Sequence, residues 1–381
     1  MGKVELPSGW KSVKLGEIAE YYDGTHQTPE YIESGVPFIS VENIDNLKGS
    51  KKYISTADFD KYKIKPQKND IFMTRIGELG LVNIVEDDEP LAYYVTLTLI
   101  RPKEIFPHFL LFFINSNAFQ RELNKRALLN AVPPKINLGD IGKMSVLVPP
   151  LSEQQAIAEI LTIADKLIAI KERLIVAKQK QKQWLMQHLL TGKIRLLGFS
   201  GEWEKTTLEK HMQIETGSQN TEDKIENGRY PFFVRSQQIE NIDSYSYDCE
   251  AVLTAGDGVG TGKVFHYING KFNAHQRVYV MSQFNGITGI YFYYFFSNNF
   301  LSVVSKYTAK TSVDSVRRDM IANMQINLPP LPEQQAITNV LTTADREIEL
   351  LKKELEQHKQ IKKYLMQKLL TGKIRVKGAS E

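Results

Sequence analysis

The chain has 381 residues, 42% of them hydrophobic and 24% charged, a balance that supports packed cores and excludes a disordered tail. With 48 Lys and Arg against 44 Asp and Glu it is mildly basic, which suits contact with nucleic acid without being diagnostic of it. The single Cys249 excludes an internal disulfide and a cysteine-rich metal site; no apolar run is long enough to span a bilayer, and MGKVELPSGWKS lacks a signal-peptide core, so a cytoplasmic setting is expected.

In chain order, Trp10 and Leu15 open a first variable region in which GVPFISVENI, from Gly35, reads as a turn feeding a strand. Asp70 to Val85 reads as a glycine-punctuated hairpin, and Phe109 to Phe119 as an aromatic helix whose rings suit a core better than a base-stacking platform. From Pro149 to Arg195 a long helix is expected: Ser152 with Gln155 predicts a capping box, Gly192 a left-handed cap at the far end, and the roughly 40 residues between them about 60 Å of helix. The order then begins again. Trp203 and Leu208 match Trp10 and Leu15, GRYPFFVRSQQI from Gly228 reads as a turn and strand, Ala251 to Ile268 as a hairpin and Ile290 to Phe300 as an aromatic helix. A second long helix follows from Pro329 to Arg375, with Pro332 just inside its start and Gly372 past its end.

PPLSEQQAIAEIL…LLTGKIR and PPLPEQQAITNVL…LLTGKIR match without a gap at roughly half of their positions, while the regions before them have diverged. In the second copy Ile337, Leu341, Ala344, Ile348, Leu351 and Leu355 follow the 4,3 spacing of a coiled-coil seam, as Ile157, Leu161, Ala164 and Ile168 do in the first. Lys171, Lys178 and Lys182 then occupy seam positions, and the lysine-rich faces read as solvated. Two such stripes predict that the copies pack on each other, antiparallel by the two-fold logic of the duplication.

No catalytic constellation emerges. GDGVGTGK has Asp257 where a phosphate loop needs its first glycine and Val264 where it needs Ser or Thr, and no helix start follows it, against a dinucleotide fingerprint as well. NLPPL and VPPK break the Asn/Asp-Pro-Pro-aromatic pattern with which adenine methyltransferases hold their target amine, and the seven histidines are scattered rather than set at metal-ligand spacing.

The LPSGWKSVKLGEI opening, the two PPL-EQQ…LLTGKIR blocks and the variable regions resemble the specificity subunit of type I restriction-modification systems over essentially the whole chain. The resemblance implies a mixed α/β (α+β) fold in which two target recognition domains are separated by two long antiparallel coiled-coil helices. The divisions are residues 1–148 and 196–328 for the domains, 149–195 for the first helix and 329–381 for the second with its tail. It further implies that each domain reads one half of a bipartite DNA site, while the helices set the spacer and dock two methyltransferase subunits. Restriction subunits are left open, and S-adenosylmethionine, ATP and Mg are expected in partners, with no cofactor and no catalysis in this chain. Candidate DNA-binding residues are polar or basic turn residues, each a base or a phosphate contact. They are Ser40, Asn43, Arg75 and Lys135 in the first domain, and Arg235, Ser236, Gln237, Gln238, Lys263, Gln276, Arg277, Lys310 and Thr311 in the second. The rival class is a two-domain protein-binding scaffold without a DNA role.

Overall fold

Two continuous helices, Leu151–Leu189 and Leu331–Leu369, each 39 residues long, dominate the element order of this computed structural model, which describes residues 6–308 and 315–376. The chain divides into two compact units, Met1–Glu172 with Glu354–Glu381, and Arg173–Lys353. Each long helix therefore gives one half to each unit.

In the first unit Lys11–Lys14 pairs antiparallel with Ser145–Val148, bringing the start and the end of the variable region together. A four-stranded sheet runs in the order Ala19–Asp23, Leu97–Pro102, Ile71–Thr74, Val82–Ile84, and a three-stranded sheet in the order Tyr53–Ile54, Val36–Ile39, Ala92–Tyr93. The hairpin from Asp70 to Val85 is thus present, with Ile71 opposite Ile84. Helices Pro107–Ile114 and Asn117–Arg126 replace the single aromatic helix expected over Phe109–Phe119. Asn115 ends the first, and the buried Ser116 starts the second by accepting the Phe119 N–H at 3.3 Å, so a side-chain cap outcompetes continuation. Phe109 and Phe113 are core residues, clustered with Leu15, with Ile157 and Leu161 of the first long helix, and with Leu369 and Leu370 at the end of the second.

The second unit repeats the plan with one change. Glu204–Thr207 pairs with Gln325–Leu328, and a single six-stranded sheet runs Gln213–Thr216, Val278–Ser282, Tyr247–Ala255, Phe265–Ala274, Tyr230–Phe233, Glu240–Ile242. Here the ten-residue strand Phe265–Ala274 pairs antiparallel with Tyr247–Ala255 and parallel with Tyr230–Phe233. In the first unit those two pairings fall to separate strands, Val82–Ile84 and Ala92–Tyr93, because EDDEP between them offers charges and a proline that a strand interior does not accommodate. The aromatic helix is one piece, Gly289–Thr308, and it buries Tyr291, Phe292 and Phe296 against Leu189, Leu190, Ile337 and Leu341.

The duplicated block has a structural reason at each repeated residue. Both long helices start at the leucine after Pro-Pro, so Ser152 lies within the first turn and is not the expected cap; the N–H groups of Glu153 and Gln154 instead donate to the Pro150 carbonyl, each at 3.0 Å. The glutamates and glutamines of PPL-EQQ turn inward. In the first unit Glu153, 3% exposed, accepts from the Trp10 indole at 3.1 Å and from Arg375 Nε and Nη2 at 2.8 and 2.9 Å; in the second, Glu333, 1% exposed, accepts from Trp203 at 3.1 Å and from Arg195 at 2.5 and 2.6 Å. Gln154 accepts the Phe106 N–H at 2.8 Å ahead of the aromatic helix, and Gln334 accepts the Thr288 N–H at 2.9 Å. Gly192 and Gly372, at φ +70° and +67°, take the left-handed caps that the sequence predicts, and turn the chain so that Arg195 and Arg375 reach those carboxylates.

Between the ends, the helices pair antiparallel within each unit. Lys362 joins Asp165, and Lys359 Nζ lies 2.8 Å from Glu172 Oε1; in the second unit Lys182 Nζ lies 2.5 Å from Asp345 Oδ1 and Lys178 Nζ 2.7 Å from Glu347 Oε1. Lys171 pairs with Glu354. The three lysines expected at seam positions each meet a carboxylate of the other copy, a pairing that a one-dimensional reading of one helix cannot display.

Candidate nucleic-acid interface

Within each unit, loops from five parts of the chain come together and are stitched by backbone hydrogen bonds. In the first unit the segment after Ile71–Thr74 donates from Arg75 N–H to the Thr96 carbonyl at 2.9 Å and accepts from Ile136 N–H at 3.0 Å; Tyr94 N–H donates to the Ile39 carbonyl at 2.9 Å and Val95 N–H to Thr25 at 3.0 Å. In the second unit Gly256 N–H donates to the Arg277 carbonyl at 2.8 Å and its carbonyl accepts from Val316 N–H at 2.7 Å, while His275 N–H donates to Phe233 and Gln276 N–H to Gln219, each at 2.9 Å. The frame is one and the same. On it Arg75 stands where the second unit has Gly256, Ile76 where it has Asp257, Val95 where it has Gln276, Thr96 where it has Arg277, and Lys135 where it has Ser315.

The candidates of the first domain fall here unevenly. Ser40 and Asn43 are half-buried and cap a short 3-10 turn, with Ser40 N–H donating to Asn43 Oδ1 at 3.1 Å, so part of their hydrogen-bonding capacity is spent internally. Arg75 departs from the reading as an exposed turn residue: it is 8% exposed, its guanidinium is ion-paired with Asp23, and its Nε donates to the Ile136 carbonyl at 3.4 Å. Burial of the arginine required a carboxylate partner, and Asp23 is 52 positions away in sequence. Lys135 is exposed on the loop that bridges to Ile76.

The second domain gathers more of its candidates. Arg235, Ser236, Gln237 and Gln238 form one exposed segment, in which Ser236 Oγ donates to the Gln238 carbonyl at 2.9 Å. Arg235 Nη1 lies 2.8 Å from Asp257 Oδ1, and Arg277 Nε 3.8 Å from Asp257 Oδ2. Gln276 Nε2 donates to Asn220 Oδ1 at 2.7 Å, and Lys263 is exposed on the glycine-rich loop that packs against the Arg235 segment. Lys310 and Thr311 lie outside the described residues. Burial pushes the His275 imidazole below its usual range, and the neighbouring Arg235 and Arg277 push the same way against the opposing charge of Asp257.

Sequence reasoning missed Asp23, Thr96, Asp257, His275 and Asn220. An acidic residue looks adverse on a surface meant for phosphates; here Asp257 lies between two arginines, ion-paired with Arg235 and at 3.8 Å from Arg277, and a carboxylate also accepts from cytosine N4. The arrangement offers arginine forks, amides and a carboxylate, the donor and acceptor set of major-groove readout. Among the described residues no group of three His, Cys, Asp or Glu could hold a metal, and no helix is long and apolar enough to cross a membrane.

A family model described as the type I restriction modification DNA specificity domain matches residues 7–177 and again 200–360. This chain belongs to that family. It is a specificity subunit with two DNA specificity domains, each match running from the start of a variable region into its long helix. The putative type I restriction enzyme MjaX specificity subunit of Methanocaldococcus jannaschii is 28% identical over 98% of this chain and 95% of that protein. The EcoDI specificity subunit of Escherichia coli is 29% identical over 45% of the chain and 37% of its own length. Among solved structures, the S subunit of a type I restriction-modification system from M. genitalium superposes with a TM-score of 0.66 at 15% identity, covering 96% of this chain and 98% of that one. The HsdS subunit from Thermoanaerobacter tengcongensis gives 0.52 at 18% identity, covering 98% and 99%. At these identities the likeness is one of fold.

Proposed function

We propose that this specificity subunit reads a bipartite DNA site, one half through the loop end of each domain, and that it holds two methyltransferase subunits on its paired helices, whose length sets the unread spacer. The observation that carries the reading is the pair of identical backbone frames bearing different side chains. Such a frame holds reading groups at constant geometry while their chemistry changes, so the half-sites differ. Arg235, Arg277 and Gln276 suit guanine and adenine edges in the major groove, and Lys135 and Lys263 suit phosphates. Methyl transfer to adenine and ATP-driven cleavage belong, on this reading, to partner subunits that bind S-adenosylmethionine, ATP and Mg.

Two partner copies are supported by the surface of the long helices. Ile170 and Leu350, 59% and 57% exposed, occupy matching positions of the two copies, as do Trp184 and Tyr364 at 49% and 51%. Each stands two positions beyond a seam residue, on the same flank of its helix. The first unit holds Ile170 and Tyr364, the second Leu350 and Trp184. Exposed large apolar side chains kept at equivalent places in both repeats fit a partner that binds twice.

The test is to reconstitute the chain with the methyltransferase subunits of its own system and map methylated adenines across a genome. A single bipartite motif with a fixed gap is expected. Methylation without a motif, or binding to DNA that is insensitive to salt, would overturn the reading in favour of a protein scaffold.

A further inference from the structure

Three large aliphatic side chains among the described residues stand more than nine-tenths exposed: Val132 at 99%, Val259 at 96% and Leu197 at 103%. Leu197 lies in the connector after the first long helix. The other two lie in the loop ends, one in each domain, and neither has a packing role in its own domain. We propose that Val132 and Val259 are specificity residues that recognise thymine by contact with its C5-methyl group, an inference that rests on the half-site reading above.

The loops are built to present them. Val132 sits in a turn closed by Leu128 N–H donating to the Lys135 carbonyl at 2.7 Å and by Gly77 N–H donating to the Pro134 carbonyl at 2.9 Å. Val259 stands between Gly258, at φ +77°, and Gly260, in a loop closed by Thr261 N–H to Gly258 at 3.1 Å and by Lys263 N–H to Gly260 at 3.0 Å. A Cβ at Gly260 would lie 2.7 Å from the Arg235 carbonyl, so only glycine lets this loop close against the Arg235 segment. Both valines are thus held outward by hydrogen-bonded loops, and little conformational freedom remains to be lost on binding.

The chemistry of the groove selects the ligand. Base edges in the major groove are donors and acceptors apart from the thymine methyl and the cytosine C5–H, and of the two the projecting methyl offers an aliphatic side chain the larger apolar contact. Apolar wedges that unstack base steps are longer residues working from the minor groove. Valine, branched at Cβ and short, makes a contact rather than a wedge.

The experiment uses the full chain complexed with its methyltransferase subunits, and duplexes carrying the mapped site in which each thymine is replaced in turn by deoxyuridine, removing only the methyl. Competition binding should show one sensitive position in each half-site, weakened about fourfold, the ratio that ~0.8 kcal/mol per methyl-sized group corresponds to. Val132→Ala should abolish the sensitivity in the first domain's half-site alone, and Val259→Ala in the other alone; both side chains are exposed, so neither change touches a core. Tolerance of deoxyuridine at every position, a half-site without thymine, or variants as sensitive as the parent would overturn the assignment. Loss of all sequence preference in the parent complex would instead overturn half-site reading itself.

Discussion

Glu153 shows how one side chain can fasten several segments. It lies on the first turn of a long helix, yet it receives the indole of Trp10 and the guanidinium of Arg375, three places in sequence brought onto one carboxylate. Burial alone would push its carboxyl upward; the Arg375 guanidinium, the Val376 N–H and the indole outweigh that and hold it below the usual carboxylate range. A depressed folded-state value means that the stabilisation is present above the unfolded pKa and is lost as pH falls through the folded one. Acid unfolding of the chain should therefore begin at higher pH in Glu153→Gln than in the parent. At neutral pH, Arg375→Ala should lower the urea midpoint, because it leaves the buried Glu153 carboxylate without its guanidinium partner. No change in either measurement would mean that the clasp is decorative.

Arg75 and Arg277 make the matching point at the proposed reading end. Substituting exposed Arg277 should cost about 1–3 kcal/mol of binding and relax one position of one half-site if it reads a base, or weaken all sequences alike if it holds a phosphate. Arg75→Ala leaves Asp23 without its buried partner, so it should lower the thermal midpoint as well as binding, and its effect should stay within the first domain's half-site. A half-site panel assayed beside thermal unfolding separates these outcomes.

The long helices carry two surfaces, to which the proposed docking of methyltransferase subunits gives different duties. Their seams pair the copies, through apolar positions such as Ile348 and Leu351 and through lysine–carboxylate contacts. The ion pairs are partly exposed and each contributes modestly, so the seam tolerates single changes. The outer flank is different, because Trp184 and Tyr364 have nothing to gain from exposure in the free chain. Trp184→Ala should weaken one methyltransferase copy about thirtyfold, the ratio that ~2 kcal/mol for an aromatic anchor corresponds to, and Tyr364→Ala the other. Native mass spectrometry should then find complexes with one methyltransferase subunit; equal retention of both by either variant would remove these residues from the interface.

At the scale of the molecule, each unit is completed by chain from both repeats: the first takes residues 354–381 in addition to 1–172. The two copies of the clasp use the same residue types, so neither domain depends on the identity of the other for its frame. Inserting one heptad in each helix, after Ala169 and after Leu350, keeps the 4,3 seam and lengthens each helix by about 10 Å. Methylation mapping should recover the same two half-sequences with roughly three more base pairs between them, at ~3.4 Å each. An active variant with an unchanged gap would show that helix length does not set the spacer.

The repeat, the helix limits at Gly192 and Gly372, the seam spacing and the mixed α/β class were legible in the sequence, because each is written in contiguous residues with a local physical cause: a cap, a period, an alternation. The break at Ser116 was less so, since aromatic residues continue the helical pattern across it and only the cap geometry interrupts them. What the sequence could not determine is who meets whom at long range. Arg75 read as a turn residue until Asp23 lay beside it, Lys182 as a seam residue without a partner until Asp345 faced it, and nothing in the sequence joined Glu153 to Arg375, 222 positions away. Charge pairing depends on distance in space, and a linear sequence carries the charges without the distances, so the tertiary structure alone decided which polar groups are tied into the frame.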